Sequence, residues 1–379
     1  MGYRIPFNRP ECAGLESAYL QEALQSPQWS GDGPFTKKCH ALLERVTGVK
    51  KALLTTSCTH ALEMAALLLD LRPGEEVIVP SFTFVSTANA FYVHGARPVF
   101  VDVRPDTLNL DERRVESAIT SRTRAIVAVH YAGVACEMDA LMDIAARHGI
   151  LLIEDNAHGL FGSYKGQPLG SFGQLATLSF HETKNITCGE GGALLINDLS
   201  FAPRAEILRE KGTNRSRFFR GEVDKYTWVD KGSSFLPSDL LAAVLCAQLE
   251  RAELIQAKRR EIWQRYWNNL QSWAPAWGIR LPVIPPECGC AWHMFYVLMP
   301  DEATRSRVIA RLKQRGILAV FHYLPLHLSD VGRALGGRAG DCPVTEDVSE
   351  RLLRLPMFAG LSLSEVDEIC AAFKEAVNA

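Results

Sequence analysis

Two residues of this chain, Lys184 and Asp155, have the types and spacing of a chemical pair. Asp155 ends the apolar run 150–155, and Lys184 lies in segment 179–192, Ser-Phe-His-Glu-Thr-Lys-Asn-Ile-Thr-Cys-Gly-Glu-Gly-Gly. A lysine amine can condense with an aldehyde, and a carboxylate can hold a proton on a pyridine nitrogen so that the ring accepts electrons. Either residue alone would be an ordinary loop lysine or strand-end acid. Together they predict a site for pyridoxal 5'-phosphate (PLP).

Small polar residues ahead of an apolar helix are candidates for holding the cofactor's phosphate. Ser57, Cys58 and Thr59 precede the predicted helix 61–69, whose first N–H groups and positive dipole end would face an anion. The same pattern also forms an ordinary helix cap, which is the alternative. Ser179, five residues before Lys184, can supply a further hydroxyl.

Two ring-bearing residues are candidates for contact with the cofactor itself. Phe84 stands at a predicted strand–helix junction, where it can stack on a flat ring or simply fill the core. His158, three residues after Asp155, can hydrogen-bond the cofactor's phenolic oxygen or cap a turn.

A basic segment is the candidate for substrate binding. Lys plus Arg total 41 against 43 Asp plus Glu, so the chain is nearly neutral, and residues 210–220 are its densest basic stretch. Its cations, Lys211 and Arg215 among them, and its aromatic neighbours suit a nucleotide diphosphate, with a solvated loop as the alternative. Segment 321–327 adds His322, Tyr323 and His327, which either line a polar pocket or lie at the surface.

An α/β architecture is predicted to position these residues. Short β-branched runs alternate with helical patterns, which indicates a mainly parallel sheet covered on both faces. The predicted strands are 77–79, 99–103, 125–129, 150–153, 176–180 and 193–196, and the helices between them are 61–69, 87–94, 112–119 and 138–148. Ligands of such sheets bind beyond the carboxyl ends of the strands, where His130, Asp155 and His181 fall.

The chain is predicted to contain three parts. Residues 1–35 form an N-terminal arm that packs across a neighbour or the other domain, 36–249 a large cofactor-binding domain, and 250–379 a small C-terminal α+β domain. The elements predicted for the last part are helix 249–270, strand 293–298, helix 303–315, strand 318–322 and helix 364–377.

Composition argues against several classes of protein. The net charge of −2 gives no general affinity for nucleic acid or anionic membranes, and no apolar run is long enough to span a bilayer. The start lacks the apolar core of a signal peptide, so the ten cysteines are expected to be reduced and the protein cytoplasmic. Cys288 and Cys290 have no second pair at zinc spacing, so no metal site is predicted.

Taken in order, these motifs resemble the DegT/DnrJ/EryC1/StrS family of sugar aminotransferases. The resemblance is carried by segments 57–59, 83–84, 129–133, 154–155 and 179–192. It implies the PLP-dependent transferase type I fold, as in aspartate aminotransferase. It also implies that Lys184 binds PLP covalently and later moves protons, and that Asp155 pairs with the pyridine nitrogen. Further roles implied by the resemblance are phosphate binding by Cys58, Thr59 and Ser179, and ring contacts by Phe84 and His158.

The resemblance further implies a homodimer with shared active sites. Family members supply an asparagine to the phosphate from a Gly-x-Asn-Tyr-Arg/Lys element of the neighbouring chain. Here residues 232–236 are Gly-Ser-Ser-Phe-Leu, so Ser234 is expected in the asparagine position and Leu236 replaces the basic residue.

Segments 179–185, 210–216 and 320–327 look like one branch of that family. That branch uses L-glutamate to aminate dTDP-4-keto-6-deoxy-D-glucose, giving dTDP-4-amino-4,6-dideoxy-D-galactose for lipopolysaccharide and other surface glycans. The substrate-binding residues it implies are Lys211, Asn214, Arg215, Tyr323 and His327. The alternatives are the 4-amino-4,6-dideoxy-D-glucose epimer as product and, more distantly, a non-catalytic PLP-binding protein. Related 3-dehydratases carry histidine where this chain has Lys184.

Overall fold

A computed structural model describes residues 2–378 of the chain. A large region is built on a seven-stranded sheet, and a smaller C-terminal region on a two-stranded sheet. The helices of the large region are α1 (Glu16–Gln25), α2 (Pro34–Thr47), α3 (Cys58–Leu69), α4 (Val85–Tyr92), α5 (Glu112–Ala118), α6 (Met138–His148), α7 (Ala202–Arg209), α8 (Arg215–Phe219) and α9 (Asp239–Glu250). Its strands are β1 (Lys51–Thr55), β2 (Glu76–Pro80), β3 (Arg97–Val101), β4 (Thr123–Val129), β5 (Leu151–Asp155), β6 (Ser163–Tyr164), β7 (Gln167–Pro168), β8 (Leu175–Ser179) and β9 (Gly192–Ile196).

The large sheet is mainly parallel, which confirms the predicted α/β class. Its strand order is β1-β9-β8-β5-β4-β2-β3. Strand β9 runs antiparallel to both β1 and β8, and the pairs from β8 to β3 are parallel. The loop 180–191 returns the chain from β8 into β9, and it carries Lys184.

The pairing of β5 places Asp155 in the middle of the sheet edge. Asp155 is the last residue of β5, opposite Val129 of β4 and Thr177 of β8. Because parallel strands end at one edge, this acid and the loop after β8 meet there.

Both faces of the large sheet are buried, which explains its nearly continuous apolar strands. Val77 and Val79 pack with helix α3, whereas Ile78 between them packs on the opposite face with Leu141 of α6. The side-chain alternation of a strand therefore serves two separate hydrophobic layers.

The smaller region packs helices against an antiparallel strand pair. Its elements are α10 (Ala252–Leu270), β10 (Cys288–Gly289), β11 (Phe295–Leu298), α11 (Glu302–Gln314), α12 (Asp330–Ala334), α13 (Pro343–Arg351), β12 (Leu352–Leu355) and α14 (Leu363–Asn378). Strand β11 pairs with β12, and β10 pairs with β6 of the large region. Short 3₁₀ turns lie at Tyr131–Gly133, Leu199–Phe201, Ala274–Trp277 and Leu326–Leu328.

Two predictions in this region are wrong. Segment 318–322 is not a strand, since it makes only an isolated bridge in which Val320 and Arg354 exchange backbone hydrogen bonds of 3.1 and 2.7 Å. The partner of β11 is instead β12, which was not predicted. The helix predicted over 249–270 is two helices, because the backbone leaves helical geometry at Arg251, with φ −105° and ψ 13°.

The N-terminal segment contacts both regions of its own chain. Ile5 is fully buried in the hydrophobic core of the smaller region and bridges to Ile317. Asn8 donates from Nδ2 to the carbonyl of Glu182 at 3.0 Å, beside Lys184. The domain limits predicted from the sequence stay predictions.

Within residues 2–378, no helix is both long and apolar enough to cross a membrane. The same part of the chain contains no group of three or more His, Cys, Asp or Glu side chains arranged to hold a metal ion.

Candidate active site

A cavity of about 630 Å³ lies at the carboxyl edge of the large sheet, within the size range of small-molecule sites. Residues of both regions line it. The predicted site residues on its wall are Ser57, Cys58, Thr59, Phe84, Asp155, His158, Ser179, Lys184 and Tyr323. The structure therefore brings together residues that are up to 266 positions apart in sequence (57 to 323).

Lys184 provides a free amine to this cavity. Its backbone closes a turn, donating to the carbonyl of His181 at 2.9 Å. Among residues 2–378, no side chain forms a hydrogen bond or ion pair with its Nζ. Burial, which outweighs the opposing effects of Cys58 and Asp155, and the charge of Arg354 together lower the pKa of Lys184 from 10.5 to about 8. The amine is therefore much easier to deprotonate than an ordinary lysine.

Asp155 is held rigidly by its neighbours. The side chain is 5% exposed. Its Oδ2 accepts from the Thr87 hydroxyl at 2.7 Å, and its Oδ1 accepts from the amide of Ala157 at 3.2 Å. Thr87 is in turn hydrogen-bonded to the hydroxyl of Thr83 at 2.9 Å. A buried carboxylate with so few donors is well suited to receive a further N–H from a ligand.

Glu154, the residue before Asp155, anchors the strand end from the other side. It is fully buried, and its oxygens accept from the amides of Gly170, Phe172 and Gly173 at 2.7 to 2.8 Å. His130 Nε2 makes a fourth contact at 2.9 Å. Since the amide of Cys136 donates to His130 Nδ1, we place the ring hydrogen on Nε2. This network fixes the end of β5 and thereby the direction of Asp155.

The beginning of helix α3 faces the cavity as a cradle for an anion. Ser57 is the N-cap, and its Oγ accepts from the amide of His60 at 3.1 Å. The cap interpretation is thus correct, yet the Ser57 hydroxyl keeps its own hydrogen to donate. Within the described chain the amides of Cys58 and Thr59 have no acceptor, because they begin the helix.

Gly192 lets strand β9 pass close to this helix end. A Cβ at Gly192 would lie 2.3 Å from the carbonyl carbon of Ser57 and 2.4 Å from the amide nitrogen of Cys58. A side chain there would displace the cradle, so the glycine of the Gly-Glu-Gly-Gly run is required by close backbone contact.

His158 presents an unsatisfied polar atom in the cavity wall. Its Nδ1 is buried and has no hydrogen-bond partner within residues 2–378. The ring stacks on His293 at 4.3 Å between centroids, and His293 Nδ1 lies 2.9 Å from Asn185 Oδ1. Burial, together with the nearby Lys184 charge, holds the pKa of His158 well below its usual value, so this imidazole is neutral. An oxygen atom of a bound ligand would give Nδ1 of His158 a hydrogen-bond partner.

Several residues predicted to bind substrate or cofactor lie outside this cavity. Lys211, Arg215 and Ser234 line a second cleft of about 920 Å³, and none of the three lines the Lys184 cavity. Arg215 donates to Glu210 at 3.1 Å, and its guanidinium lies 5.2 Å from the ring of Phe219. Asn214 lines neither space, because its Oδ1 accepts from the amide of Thr227 at 2.7 Å and closes a turn.

His327 lies outside the Lys184 cavity, and its role as a substrate contact stays a prediction. It is 1% exposed, with Nδ1 2.6 Å from the hydroxyl of Ser81 and Nε2 3.0 Å from Glu346. Both ring nitrogens are used, so the imidazole has nothing left to offer a ligand.

Sequence reasoning missed several residues of the cavity wall. Among them are Phe7, Thr87, His293 and Arg354. Thr87 and His293 lay inside predicted elements and offered no distinguishing pattern. His322 and Tyr323 of segment 321–327 do line the cavity, whereas His327 does not. Arg354 gave no signal, because the strand that carries it was not predicted.

Comparison with known proteins identifies the family. The model of the DegT/DnrJ/EryC1/StrS aminotransferase family matches residues 11–374. The chain belongs to this family.

Relatives agree in sequence and in structure with that assignment. The chain is 34% identical over 383 residues to SpsC of Bacillus subtilis, a spore coat polysaccharide biosynthesis protein, covering 99% of this chain and 97% of that one. Spr1654 of Streptococcus pneumoniae, a putative sugar aminotransferase, has been solved in a PLP form and in a pyridoxamine phosphate (PMP) form. It superimposes with a TM-score of 0.92 at 28% identity over 99% of both chains. Helicobacter pylori PseC, an aminotransferase involved in the biosynthesis of pseudoaminic acid, gives a TM-score of 0.90 at 26% identity over 99% of both chains.

As a member of the DegT/DnrJ/EryC1/StrS family, the chain has the PLP-dependent transferase type I fold and uses PLP as its cofactor. The residues present fit that cofactor. The free Lys184 amine suits the aldehyde, the buried Asp155 carboxylate the ring nitrogen, and the start of helix α3 the phosphate. The orphaned Nδ1 of His158 offers a contact for a ring substituent.

Proposed function

We propose that this protein transfers the amino group of L-glutamate to C4 of dTDP-4-keto-6-deoxy-D-glucose. The products are 2-oxoglutarate and dTDP-4-amino-4,6-dideoxy-D-galactose, a building block of lipopolysaccharide and other surface polysaccharides. The observation that carries the proposal is the partner-free Lys184 amine beside a buried Asp155 in a cavity large enough for cofactor and sugar. The choice of sugar rests on segments 179–185, 210–216 and 320–327, which resemble the branch with that activity.

PLP supplies the electron sink that makes hydrogen removal from the substrate carbon possible. We assign Lys184 as the group that moves this proton. An amine with a pKa near 8 is matched to work near neutral pH, because both its protonated and its free form are accessible there. The lack of a competing partner leaves Nζ free to reach between substrate and cofactor.

Asp155 has a positional and an electrostatic task in this proposal. Its carboxylate would hold the proton of the ring nitrogen, while Thr87 and the Ala157 amide fix its two oxygens. The hydrogen bonds of Glu154 hold the end of β5, so that Asp155 keeps its direction into the cavity. Phe84, 57% exposed on the cavity wall, is available to cover the ring once it is bound.

The phosphate is assigned to the start of helix α3. The free amides of Cys58 and Thr59, with the hydroxyls of Ser57 and Ser179, can donate to its oxygens. Burial raises the pKa of Cys58 well above its usual value, so its thiol stays neutral and adds no repulsion.

A homodimer would explain the second cleft. Lys211, Arg215 and Ser234 line a cleft separate from the Lys184 cavity of their own chain. We therefore assign them to the Lys184 cavity of a second copy. Large apolar side chains are exposed in that part of the surface, among them Phe219 at 69% and Trp228 at 79%. Such exposure is unusual for a surface that stays in water.

One alternative product remains, because the face of the C4 ketone presented to Lys184 sets the configuration. Amination from the other face would give 4-amino-4,6-dideoxy-D-glucose with the same residues and cofactor. A non-catalytic PLP-binding protein would not need a free, partly buried lysine held at a pKa of about 8.

Proton NMR of the product tests this proposal. Purified enzyme is incubated with L-glutamate and dTDP-4-keto-6-deoxy-D-glucose, and the couplings of the sugar H4 are measured. Small couplings, from an axial amine, are expected. Large couplings would assign the glucose-configured product, and no aminated sugar would end the proposal.

A further inference from the structure

His293 is a buried imidazole to which the proposed reaction assigns no task. It is 4% exposed, lies two residues before β11 of the smaller region and forms part of the cavity wall. Its pKa is held well below the usual value by burial and by unfavourable interactions with His158, Lys184, Arg259 and Arg354, so the ring is neutral. A neutral imidazole of this kind can act on the site through its packing and its hydrogen bonds.

The backbone immediately before His293 is strained. Trp292 has a φ of +54°, in the left-handed region that a bulky side chain rarely adopts. Such a conformation costs free energy and persists only where neighbouring contacts enforce it. Strain of this kind beside a cavity indicates that the direction of the following side chain matters to the site.

Contacts from two directions enforce this turn. Arg259 of α10 donates from Nε to the carbonyl of Trp292 at 3.0 Å and from Nη2 to the carbonyl of His293 at 2.5 Å. Ala291 donates its amide to the carbonyl of Gly133 in the large region at 2.9 Å. A Cβ at Gly133 would lie 2.7 Å from that of Ala291, so the two segments are in close contact. The turn is thus fixed between the two regions, with His293 on the cavity wall.

His293 hydrogen-bonds the residue that follows Lys184. Its Nδ1 lies 2.9 Å from Oδ1 of Asn185, and Nδ2 of Asn185 donates to the carbonyl of Ala291 at 2.6 Å. Because Oδ1 of that amide can only accept, we place the ring hydrogen of His293 on Nδ1. The hydrogen bond ties the loop that carries Lys184 to the smaller region.

The face of the same ring supports His158. The two imidazoles stack with their centroids 4.3 Å apart and their planes 18° apart. Within residues 2–378, Nδ1 of His158 has no hydrogen-bond partner, so a hydrogen bond to that atom does not fix the ring. The orientation of His158 therefore depends on packing against His293 and against Tyr131, whose ring centroid is 5.9 Å away.

We propose that His293 is a positioning residue of the active site, which sets Lys184 through Asn185 and sets His158 through the stacked rings. This inference rests on the roles of Lys184 and His158 in the proposed transamination. One side chain of the smaller region thereby aligns both the amine and the imidazole that the large region presents to the cofactor.

Two substitutions separate the two contacts of His293. His293→Phe keeps a flat ring against His158 but has no donor for Asn185. His293→Asn places an amide nitrogen where Nδ1 stands but loses the stacked ring. His94 is partly buried and lies outside the cavity, so His94→Phe and His94→Asn are the matched controls.

Both contacts can be followed in the apoenzyme. Competitive acetylation at several pH values reports on the Lys184 amine, and deuterium exchange at the ring carbon between the two nitrogens reports on His158. His293→Phe should raise the pH midpoint of Lys184 by roughly 0.5–1, because loss of a buried hydrogen bond loosens its loop. His293→Asn should leave that midpoint unchanged and speed the exchange of His158 roughly 2- to 10-fold, the effect of losing an aromatic pair. The His94 variants should change neither.

Asn185 tests the hydrogen bond from its other end. Asn185→Leu should also raise the Lys184 midpoint, and adding His293→Phe should raise it no further, because both substitutions remove the same bond. Additive shifts would overturn the proposal. If His293→Phe does not fold, Asn185→Leu decides alone, and an unchanged midpoint would refute the link to Lys184.

The PLP-loaded enzyme relates these changes to the cofactor. Either His293 variant should weaken PLP binding roughly 2- to 10-fold. Equal responses of Lys184 and His158 in both variants would mean a general loosening, and unchanged responses would mean that His293 only fills space; either result overturns the proposal. If the wild type gave no aminated sugar, the proposed function would be refuted, whereas the apoenzyme measurements would still decide the role of His293.

Discussion

Lys184 combines two properties that surface lysines lack, a lowered pKa and an amine free of partners. We expect Lys184→Ala to reduce turnover to the background rate, because no other described lysine lines the cavity. The assay is steady-state production of 2-oxoglutarate. Lys165→Ala is the control, since this exposed lysine is paired with Asp139 and should be replaceable without loss. Substantial transamination by Lys184→Ala would contradict the assignment.

The pKa of Lys184 can be measured without the cofactor. Its ordinary value of 10.5 is lowered to about 8, so the amine of the apoenzyme should become reactive between pH 7 and 9. Competitive acetylation followed by mass spectrometry reports the neutral fraction of each lysine. Lys165 is the internal reference, because its hydrogen bond to Asp139 raises its pKa above the ordinary value. If the pH midpoint of acetylation were the same for Lys184 as for Lys165, burial would not lower the pKa of Lys184.

Turnover should depend strongly on the negative charge of Asp155. We expect Asp155→Asn to lower turnover by roughly 10³- to 10⁴-fold, the size of the loss when an acid that fixes a partner's proton is replaced by its amide. Thr87→Val keeps the acid and removes one donor to it, at 2.7 Å, so a loss of about tenfold is expected. Both are measured as kcat, after PLP content has been checked by absorbance. A near-normal rate for Asp155→Asn would mean that the carboxylate pairs elsewhere.

At the scale of elements, the cradle depends on how closely β9 passes the start of α3. A methyl at Gly192 would lie 2.3 Å from the Ser57 backbone, so Gly192→Ala should cost about 1–3 kcal/mol of stability and weaken PLP binding. Urea unfolding and PLP titration measure the two effects. Gly166→Ala is the control, because that turn has free space despite a φ of +80°, and only stability should fall. Unchanged PLP affinity in Gly192→Ala would show that the cradle lies elsewhere.

The clearest strands that sequence reasoning found, β2 and β4, are rich in β-branched residues and buried on both faces. Strands β1 and β12 were missed because Lys-Ala-Leu-Leu-Thr and Leu-Leu-Arg-Leu consist largely of good helix formers. Their extended form comes from pairing with β9 and β11, which local sequence does not reveal.

The candidate site was predictable to the same extent as the elements that carry it. Lys184 and Asp155 follow strands with clear patterns, the start of α3 was recognised from the small polar residues ahead of an apolar helix, and all of them line the cavity. The roles of Lys211 and Ser234 could not be tested on one chain, since they line a separate cleft. Arg354 was not predicted as a site residue, because its strand, β12, was not predicted.

At the scale of the whole molecule, the separation of the two clefts predicts sites shared between chains. Alone, a Lys184→Ala chain should show only the background rate, and a Lys211→Ala/Arg215→Ala chain should be weakly active. Co-expressed in equal amounts, they should recover about a quarter of wild-type activity, because half of the dimers would carry one intact site of two. Two differently tagged Lys184→Ala chains serve as the control. Recovery no greater than the sum of the separate variants would mean that each chain completes its own site.

The early position of Ile5 in the chain has a consequence for biosynthesis. Ile5 leaves the ribosome near the beginning of translation, but its partner Ile317 follows 312 residues later. At bacterial or eukaryotic elongation speeds that interval is roughly 15–60 s. Throughout this time the nascent chain carries an unburied apolar end, and Arg354, made later still, leaves the cavity wall incomplete. Completion of the cofactor cavity must therefore wait until the smaller region has been synthesised, and chaperone occupancy of the N-terminal segment should persist over the same interval.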